Sequence, residues 1–403
     1  MKLRQSLLGM LALLTAVAAG TAGAAPRADG ALGEPAAATT PRPAKTRGPT
    51  TLDPSLQRTA DRLLRSAKPV EGAIVVIDPK TGSVLAFHAL TAGGSSFDLL
   101  TQARLPAASL FKVVTTTALF ESTSITPQDQ VCINGGVHGI ERRHLEPARG
   151  PGSECGRFGW ALGHSKNAVF AQLATRLLTR EDLLRTAEHL GFNGKLPLDD
   201  GEEQAELGKL SVPYNDLDFA RAAAGFQGSS LSPLGAAYLM TLIARGGSTV
   251  GLRLHQAGAT DEEAAPLPTA PAAQLFSART AQRLTRMLEV TVETGTSRAA
   301  FTAPDGKRYL PSIRVAGKTG TLRPEQGQGD DTMTSWFVGF APSRNPEVVV
   351  SVMLVNGHTY RRKANELARD LLRTYFRSHG HAQTVTDPFA LPSTEPLAAA
   401  TPE

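Results

Sequence analysis

The sequence predicts a mixed α/β fold: an antiparallel sheet built from both ends of the folded chain, flanked by helices, with a mostly helical lobe inserted between its halves. Three observations carry that prediction. A β-rich run, Ala73–Asp78, meets the turn Pro79-Lys80-Thr81-Gly82 and then a second run, Ser83–His88, the pattern of a hairpin. Helical periodicity dominates the middle of the chain. Three strands, over 312–320, 333–341 and 347–355, and a helix over 362–377 then close it. This is not the strand–helix alternation of a nucleotide-binding sheet, and no glycine-rich phosphate loop is present.

The elements follow in order. Residues 1–25 read as a secretory signal peptide: Lys2 and Arg4, the apolar run Leu7–Ala19, then the small residues Ala22-Gly23-Ala24. The alternative is an uncleaved anchor tethering the protein to the inner membrane, because Ser6–Ala25 approaches the roughly 20 residues that span a bilayer. Either way the body is expected to be exported, periplasmic or extracytoplasmic. Residues 26–50, rich in Pro, Ala, Thr and Gly, read as a disordered linker, and 381–403 as a disordered tail. The folded part is therefore expected over 51–380. With nothing before residue 51 large enough for a glycosyltransferase or pedestal domain, a bifunctional synthase is not expected.

Asp53-Pro54 opens a helix to Ala67, with Leu56, Ala60, Leu63 and Leu64 on one face. Further helices are expected at about 109–122, 165–178, 180–190, 216–224, 232–246 and 277–293, with a surface loop at Thr260–Ala273. The 403 residues are 41% hydrophobic and 20% charged, enough for a substantial core. The net charge of +5 is misleading as a partner signal. Six basic residues against two acidic ones lie within 1–50, so the remainder carries a surplus of only one. No nucleic-acid partner is expected on that balance. Cys132 and Cys155 are the only cysteines. In an oxidising compartment they are a candidate disulfide worth roughly 3 kcal/mol, the alternative being two unpaired thiols. Neither neighbourhood supplies the other ligands of a zinc site, so no metal is expected.

Three short elements could do chemistry. Ser109-Leu110-Phe111-Lys112 opens a helix, and a spacing of three puts hydroxyl and amine on one face. Lys112 could take the serine proton if desolvation and a neighbouring cation lowered its pKa. Ser165-Lys166-Asn167 starts another helix, where a hydroxyl and a carboxamide could relay a proton and hold an amide. Gly317-Lys318-Thr319-Gly320-Thr321 follows a β-run; alternation would put Lys318 on one face and Thr319 with Thr321 on the other, unless the glycines permit a twist. Each element is weak alone. Ser343-Arg344-Asn345 and Lys80-Thr81-Gly82 repeat two of the patterns, and both read as turns between strands.

The conjunction is specific. Ser-x-x-Lys, then Ser-x-Asn, then Lys-Thr-Gly, in this order, is the motif set of penicillin-binding proteins and class A β-lactamases. The chain resembles the penicillin-binding transpeptidase domain over about 51–380. Thr51–Gln57, Val76–Gly82, Thr294-Gly295-Thr296 and Ser335–Pro342 are also similar to segments of that domain. The resemblance implies a peptidoglycan D,D-transpeptidase, with or without D,D-carboxypeptidase activity, acting on D-Ala-D-Ala stem peptides and acylated by β-lactams.

By the same resemblance Ser109 is the nucleophile, Lys112 its base, and Ser165 with Lys318 the proton relay to the leaving amine. Asn167, Thr319, Gly320 and Thr321 bind substrate, and the backbone N–H groups of Ser109 and Thr321 form the oxyanion hole. No cofactor is implied, and no protein partner is named by it. Pro106-Ala107-Ala108 departs from the Pro-Gly-Ser-Thr lead-in of large transpeptidases, which leaves carboxypeptidase or β-lactamase activity open. A serine β-lactamase is the first alternative, although Gln204-Ala205-Glu206-Leu207-Gly208 lacks both the Glu and the Asn of the class A Glu-x-x-Leu-Asn loop in register. A non-catalytic penicillin-binding sensor is the second.

Overall fold

The computed structural model describes residues 49–199, 203–256, 272–323, 332–357 and 361–380. The signal, the tail, all but the last two residues of the linker and most of the loop at 260–273 lie outside the described residues. Pro49 and Thr50, at the linker's end, already pair with the body: the Pro49 carbonyl accepts from Gln256 N–H and Thr50 bridges His255.

Helix α1 (Pro54–Ala67) starts where the Asp53 carboxylate accepts the N–H groups of Ser55 and Leu56 at 2.7 and 2.8 Å. Pro54 supplies the fixed φ of a first turn. Strands β1 (Glu71–Ile77) and β2 (Val84–Leu90) form the expected hairpin. Its turn needs Gly82: at φ 75° a Cβ there would lie 2.0 Å from the Gly251 carbonyl oxygen.

The inserted lobe begins with α2 (Ser96–Thr101), the short β3 (Leu105–Pro106), a 3-10 turn (Ala108–Leu110) and α3 (Phe111–Ser122). A small hairpin, β4 (Gln130–Ile133) with β5 (Glu154–Arg157), precedes α4 (Phe158–Ala161), α5 (Asn167–Leu177) and α6 (Arg180–His189). After the hairpin β6 (Lys195–Leu198) with β7 (Glu203–Glu206) come β8 (Gly208–Leu210), α7 (Asp216–Ala223), β9 (Ser229–Leu231) and α8 (Pro233–Ala244). The chain ends through α9 (Ala278–Glu293), α10 (Arg298–Phe301), β10 (Ala316–Leu322), β11 (Met333–Ala341), β12 (Val348–Asn356) and α11 (Ala364–Ser378).

The main sheet has the order β10-β11-β12-β1-β2, antiparallel throughout, so N-terminal and C-terminal strands meet at the β12–β1 pair. All nine residues of β12 are buried because both faces of the sheet are covered. Alternation sorts them: Ile74, Val76, Val350, Val352 and Leu354 join the core under α1 and α11, while Val75, Ile77, Val349 and Met353 join the core beneath the inserted helices. Helix α3 is buried nearly all round, and its hydroxyls are satisfied within the backbone. Thr116 and Thr117 donate to carbonyls four residues back, and Thr115 reaches the Ala223 carbonyl at 2.7 Å.

Three boundaries differ from the sequence reading in ways that matter. Ser109 lies in the 3-10 turn ahead of α3, not in the α-helix itself. The helix expected over 165–178 begins at Asn167, because Ser165 adopts φ 55° and cannot be helical. The strand expected over 312–320 is displaced to 316–322, since Leu310–Ile313 close a turn, and the whole Gly317–Thr321 motif is thereby extended. Helix α2 and the short strands β3 to β9 were not anticipated; most are too brief to show a period, and β3 pairs with β9 across more than a hundred residues.

Candidate active site

The site is assembled around the turn that carries Ser109. This turn is clamped from outside: Trp336 Nε1 of β11 donates to the Pro106 carbonyl at 3.0 Å, and Ala107 N–H donates to the Ser229 carbonyl. Ala108 takes φ 49°, and Gly225, just past α7, packs so closely that a Cβ would stand 2.1 Å from the Ala108 carbonyl oxygen. A left-handed alanine beside a glycine with no room for a side chain marks a strained, well-determined loop.

One turn on, Lys112 Nζ sits 2.7 Å from Ser109 Oγ and donates to the Ala224 carbonyl at 2.6 Å. The lysine is fully buried, with the Phe170 ring centroid 5.8 Å from its amine. No carboxylate among the described residues pairs with it. Burial, then the charge of Lys318, push its pKa well below the ordinary lysine value. Such an amine can be neutral and accept a proton.

The second serine and second lysine meet beside it. Lys318 Nζ donates to Ser165 Oγ at 3.0 Å and to the Thr319 carbonyl at 2.7 Å, folding back along its own strand. It too is fully buried, and desolvation lowers its pKa to about 7. The alternation expected along β10 puts Lys318 and the threonines on opposite faces. β10 is an edge strand, however, so side chains from both faces can bend toward its open edge. Gly320 lets this strand lie against the serine turn: a Cβ there would be 3.3 Å from Leu110 and 3.4 Å from the Ala107 carbonyl oxygen. The Thr319 hydroxyl lies 2.6 Å from that of Thr296, in the Thr294-Gly295-Thr296 segment after α9.

Asn167 is turned to a different neighbour. Its Nδ2 donates to the Val137 carbonyl at 2.7 Å. Val137 belongs to a glycine-rich loop, Gly135–Ile140, that walls a cleft of about 940 Å3 onto which Ser109, Asn167 and Thr321 open. The base of that loop is closed covalently: Cys132 and Cys155 face each other across β4 and β5 and form a disulfide.

The structure thus brings Ser109, Lys112, Ser165 and Lys318 into contact in two linked pairs, with Thr319, Gly320 and Thr321 alongside and Asn167 at the cleft wall. Sequence reasoning missed the carbonyl of Ala224, the second partner of Lys112, for which no side chain could have been a signal. It also missed the Val137 carbonyl. Gly225 was detectable as a glycine after a helix, the usual terminator. The repeated patterns are both turns: Thr81 Oγ1 bonds Asp78 within its hairpin, and Ser343 bonds Glu289 of α9.

A serine and a desolvated lysine one turn apart, facing a second serine and a lysine on an edge strand, is the arrangement of an active-serine acyl-transfer fold. The chain matches the family model of the penicillin binding protein transpeptidase domain over residues 72–373, and it belongs to that family. Among its relatives, the peptidoglycan D,D-transpeptidase PbpA of Mycobacterium tuberculosis is 25% identical over 357 residues, covering 76% of this chain and 67% of the relative. The penicillin-binding protein PbpB of the same species is 28% identical over 336 residues, covering 76% of this chain but 47% of PbpB. The transpeptidase domain of Burkholderia pseudomallei penicillin-binding protein 3 shares the fold, with a TM-score of 0.64 and 24% identity over 82% of this chain and 96% of that one. So does the ceftriaxone acyl-enzyme complex of M. tuberculosis penicillin-binding protein A, at TM-score 0.63 and 22% identity over 81% of this chain and 79% of that one.

Proposed function

We propose that the protein is a serine-type peptidoglycan D,D-transpeptidase, with D,D-carboxypeptidase activity when water replaces the acceptor amine. The observation that carries this reading is the fully buried Lys112 amine, unpaired by any described carboxylate, 2.7 Å from Ser109 Oγ. A neutral Lys112 takes the Ser109 proton as Oγ bonds to the carbonyl carbon between the two terminal D-alanines. The oxygen, now negative, is held by the backbone N–H groups of Ser109 and Thr321; one such donor is worth on the order of 3 kcal/mol of transition-state stabilisation.

As the C–N bond breaks, the Ser165 hydroxyl gives its proton to the leaving D-Ala amine and is resupplied through the lysines. An acceptor amine, or water, then attacks the Ser109 ester, and the steps run in reverse. The substrate's terminal carboxylate is held by Lys318 with the Thr319 and Thr321 hydroxyls. That carboxylate favours the charged form of Lys318, which in turn keeps Lys112 neutral. Asn167 swings from the Val137 carbonyl to the substrate amide.

β-Lactams carry a strained amide in place of the D-Ala-D-Ala bond and acylate Ser109. Against rapid hydrolysis stands the stretch 204–208, nearest in pattern to the class A deacylating loop, which carries Gln204 at the glutamate position and whose one acid is Glu206. Its carboxylate is committed to Ala103 N–H and to Lys209 and Lys195; burial pushes its pKa up, but the Ala103 N–H and then the two lysines outweigh burial and hold it down. The site of action is extracytoplasmic, with residues 1–25 as signal or anchor; among the described residues no helix is long and apolar enough to cross a membrane.

The test is labelling with a fluorescent penicillin, followed by release of D-Ala from a stem-peptide mimic. Stable labelling with D-Ala release supports the transpeptidase reading. Rapid loss of label with nitrocefin turnover means a β-lactamase, and labelling without D-Ala release means a sensor.

A further inference from the structure

A second cleft, of about 670 Å3, lies between α9 and the segment that runs from Pro127 and from β5 into α4. Arg279, Arg283 and Arg286 recur on one face of α9, their Cα atoms rising successively by about 6 and about 4.5 Å along the axis. Arg157, at the end of β5, completes the lining. Four arginines thus share a concave surface to which no carboxylate contributes. Acids that neighbour the lining in sequence or contact are engaged elsewhere: Glu121 accepts from Ser277, Glu289 from Ser343 and Asp129 from Thr126, and Glu154 pairs with Lys166, whose amine lies over the Trp160 ring. Arg283 lies over the Phe120 ring, 5.2 Å from its centroid, but among the described residues the guanidinium groups of Arg157, Arg279 and Arg286 make no ion pair or hydrogen bond. The floor is apolar, from Met287, Val290 and the indole of Trp160, with the carboxamides of Gln128 and Gln282 at its sides.

We propose that this cleft binds a phosphate-bearing polyol or sugar chain. Clustered like charges without counter-ions repel one another, and the arrangement is relieved by a ligand that carries several negative charges in a row. Guanidinium forks pair with phosphate oxygens two at a time. The carboxamides suit hydroxyls, and the indole suits the apolar face of a ring. A flat membrane surface meets the outer guanidinium groups and leaves the floor unused, whereas a strand lies in the groove. Arginine clusters also take acidic peptides, and hexaglutamate tests that occupant; the carboxamides and the indole in this lining favour a hydroxyl-bearing chain over one of carboxylates alone. None of Ser109, Lys112, Ser165 or Lys318 lines it, so the proposal stands apart from the acyl-transfer reading.

The test is calorimetric titration of the full chain with sodium tripolyphosphate, compared with the variant R279Q/R286Q. Both side chains are exposed and lack a described partner, so folding is not at stake; unchanged fluorescent-penicillin labelling checks this. Wild type is expected to bind, more weakly as salt is raised. The variant should bind about tenfold more weakly or worse, the loss of two charge-assisted contacts. Hexaglutamate and phosphatidylglycerol vesicles, at matched charge, are expected to displace little. The proposal is overturned by absence of binding by wild type, by equal affinity in the variant, or by competition from hexaglutamate or the vesicles that weakens the tripolyphosphate titration as strongly as an equal charge of prebound tripolyphosphate.

Discussion

Replacing Lys318 by methionine probes the electrostatics on which the acyl-transfer reading depends. In the folded protein the Lys318 pKa is lowered to about 7, while an unfolded chain returns it to the ordinary 10.5. Between those values the unfolded chain holds more protons, so stability rises with pH at up to roughly 1.4 kcal/mol per unit for this one group. The contribution is fully restored above 10.5 and is lost as pH falls toward 7. Between pH 7 and 9 Lys318 therefore adds about 2 kcal/mol, and at pH 7 its burial costs about 4 kcal/mol.

Methionine has a similar volume and no charge, so K318M is expected to be more stable than wild type at pH 7. About 1–3 kcal/mol of the gain is offset because the Ser165 hydroxyl and the Thr319 carbonyl lose their donor. Its stability should rise less steeply with pH than that of wild type, the remaining slope belonging to Lys112. Acylation should meanwhile slow by about ten- to a hundredfold, through loss of the carboxylate anchor and of the charge that keeps Lys112 neutral. Urea unfolding at pH 7, 8 and 9, paired with penicillin acylation rates, measures both. Parallel pH–stability curves for the two proteins, or wild-type acylation by K318M, would refute the reasoning.

Three further outcomes are expected. Ser109→Ala should abolish covalent penicillin labelling while leaving the unfolding midpoint nearly unchanged; labelling that persists on gels means another nucleophile. Gly225→Ala should cost more than about 2 kcal/mol, because its Cβ meets the Ala108 carbonyl oxygen at 2.1 Å and φ is 82°, and should slow acylation by displacing the serine turn; a variant that unfolds and acylates like wild type in stopped-flow and denaturation assays contradicts the packing. Removing the disulfide as C132S/C155S should cost roughly 3 kcal/mol on the chain-entropy argument. It should also raise the substrate concentration needed for half-maximal D-Ala release, because the Val137 wall of the cleft loosens; an unaltered concentration dependence means the loop is held without the disulfide.

Local signals were strong wherever a side chain pattern met a single element. Asp53-Pro54 is a helix start whose cap the structure contains, and the runs that became β11 and β12 were recognisable from their apolar density alone. The displaced start of β10 and the missing first turn of α5 share a cause: tertiary contacts overrode local preference. Ser165 is held at positive φ beside Lys318, and the residues before Ala316 are drawn into a turn. The net charge of the body likewise concealed the arginine cleft, since a sum over residues carries no information about which of them share a face.

By itself the sequence determined the kinds of element, their order and the three motifs, because helix periodicity, strand alternation and capping chemistry act over a few residues. Only the tertiary structure decided that Lys112 is paired with no described carboxylate but with the Ala224 carbonyl just past α7, that Lys318 bends to Ser165 across 153 positions, and that Gly225 leaves room for a strained serine turn. Desolvation is a property of packing from every direction, and it is desolvation that turns an ordinary lysine into a base.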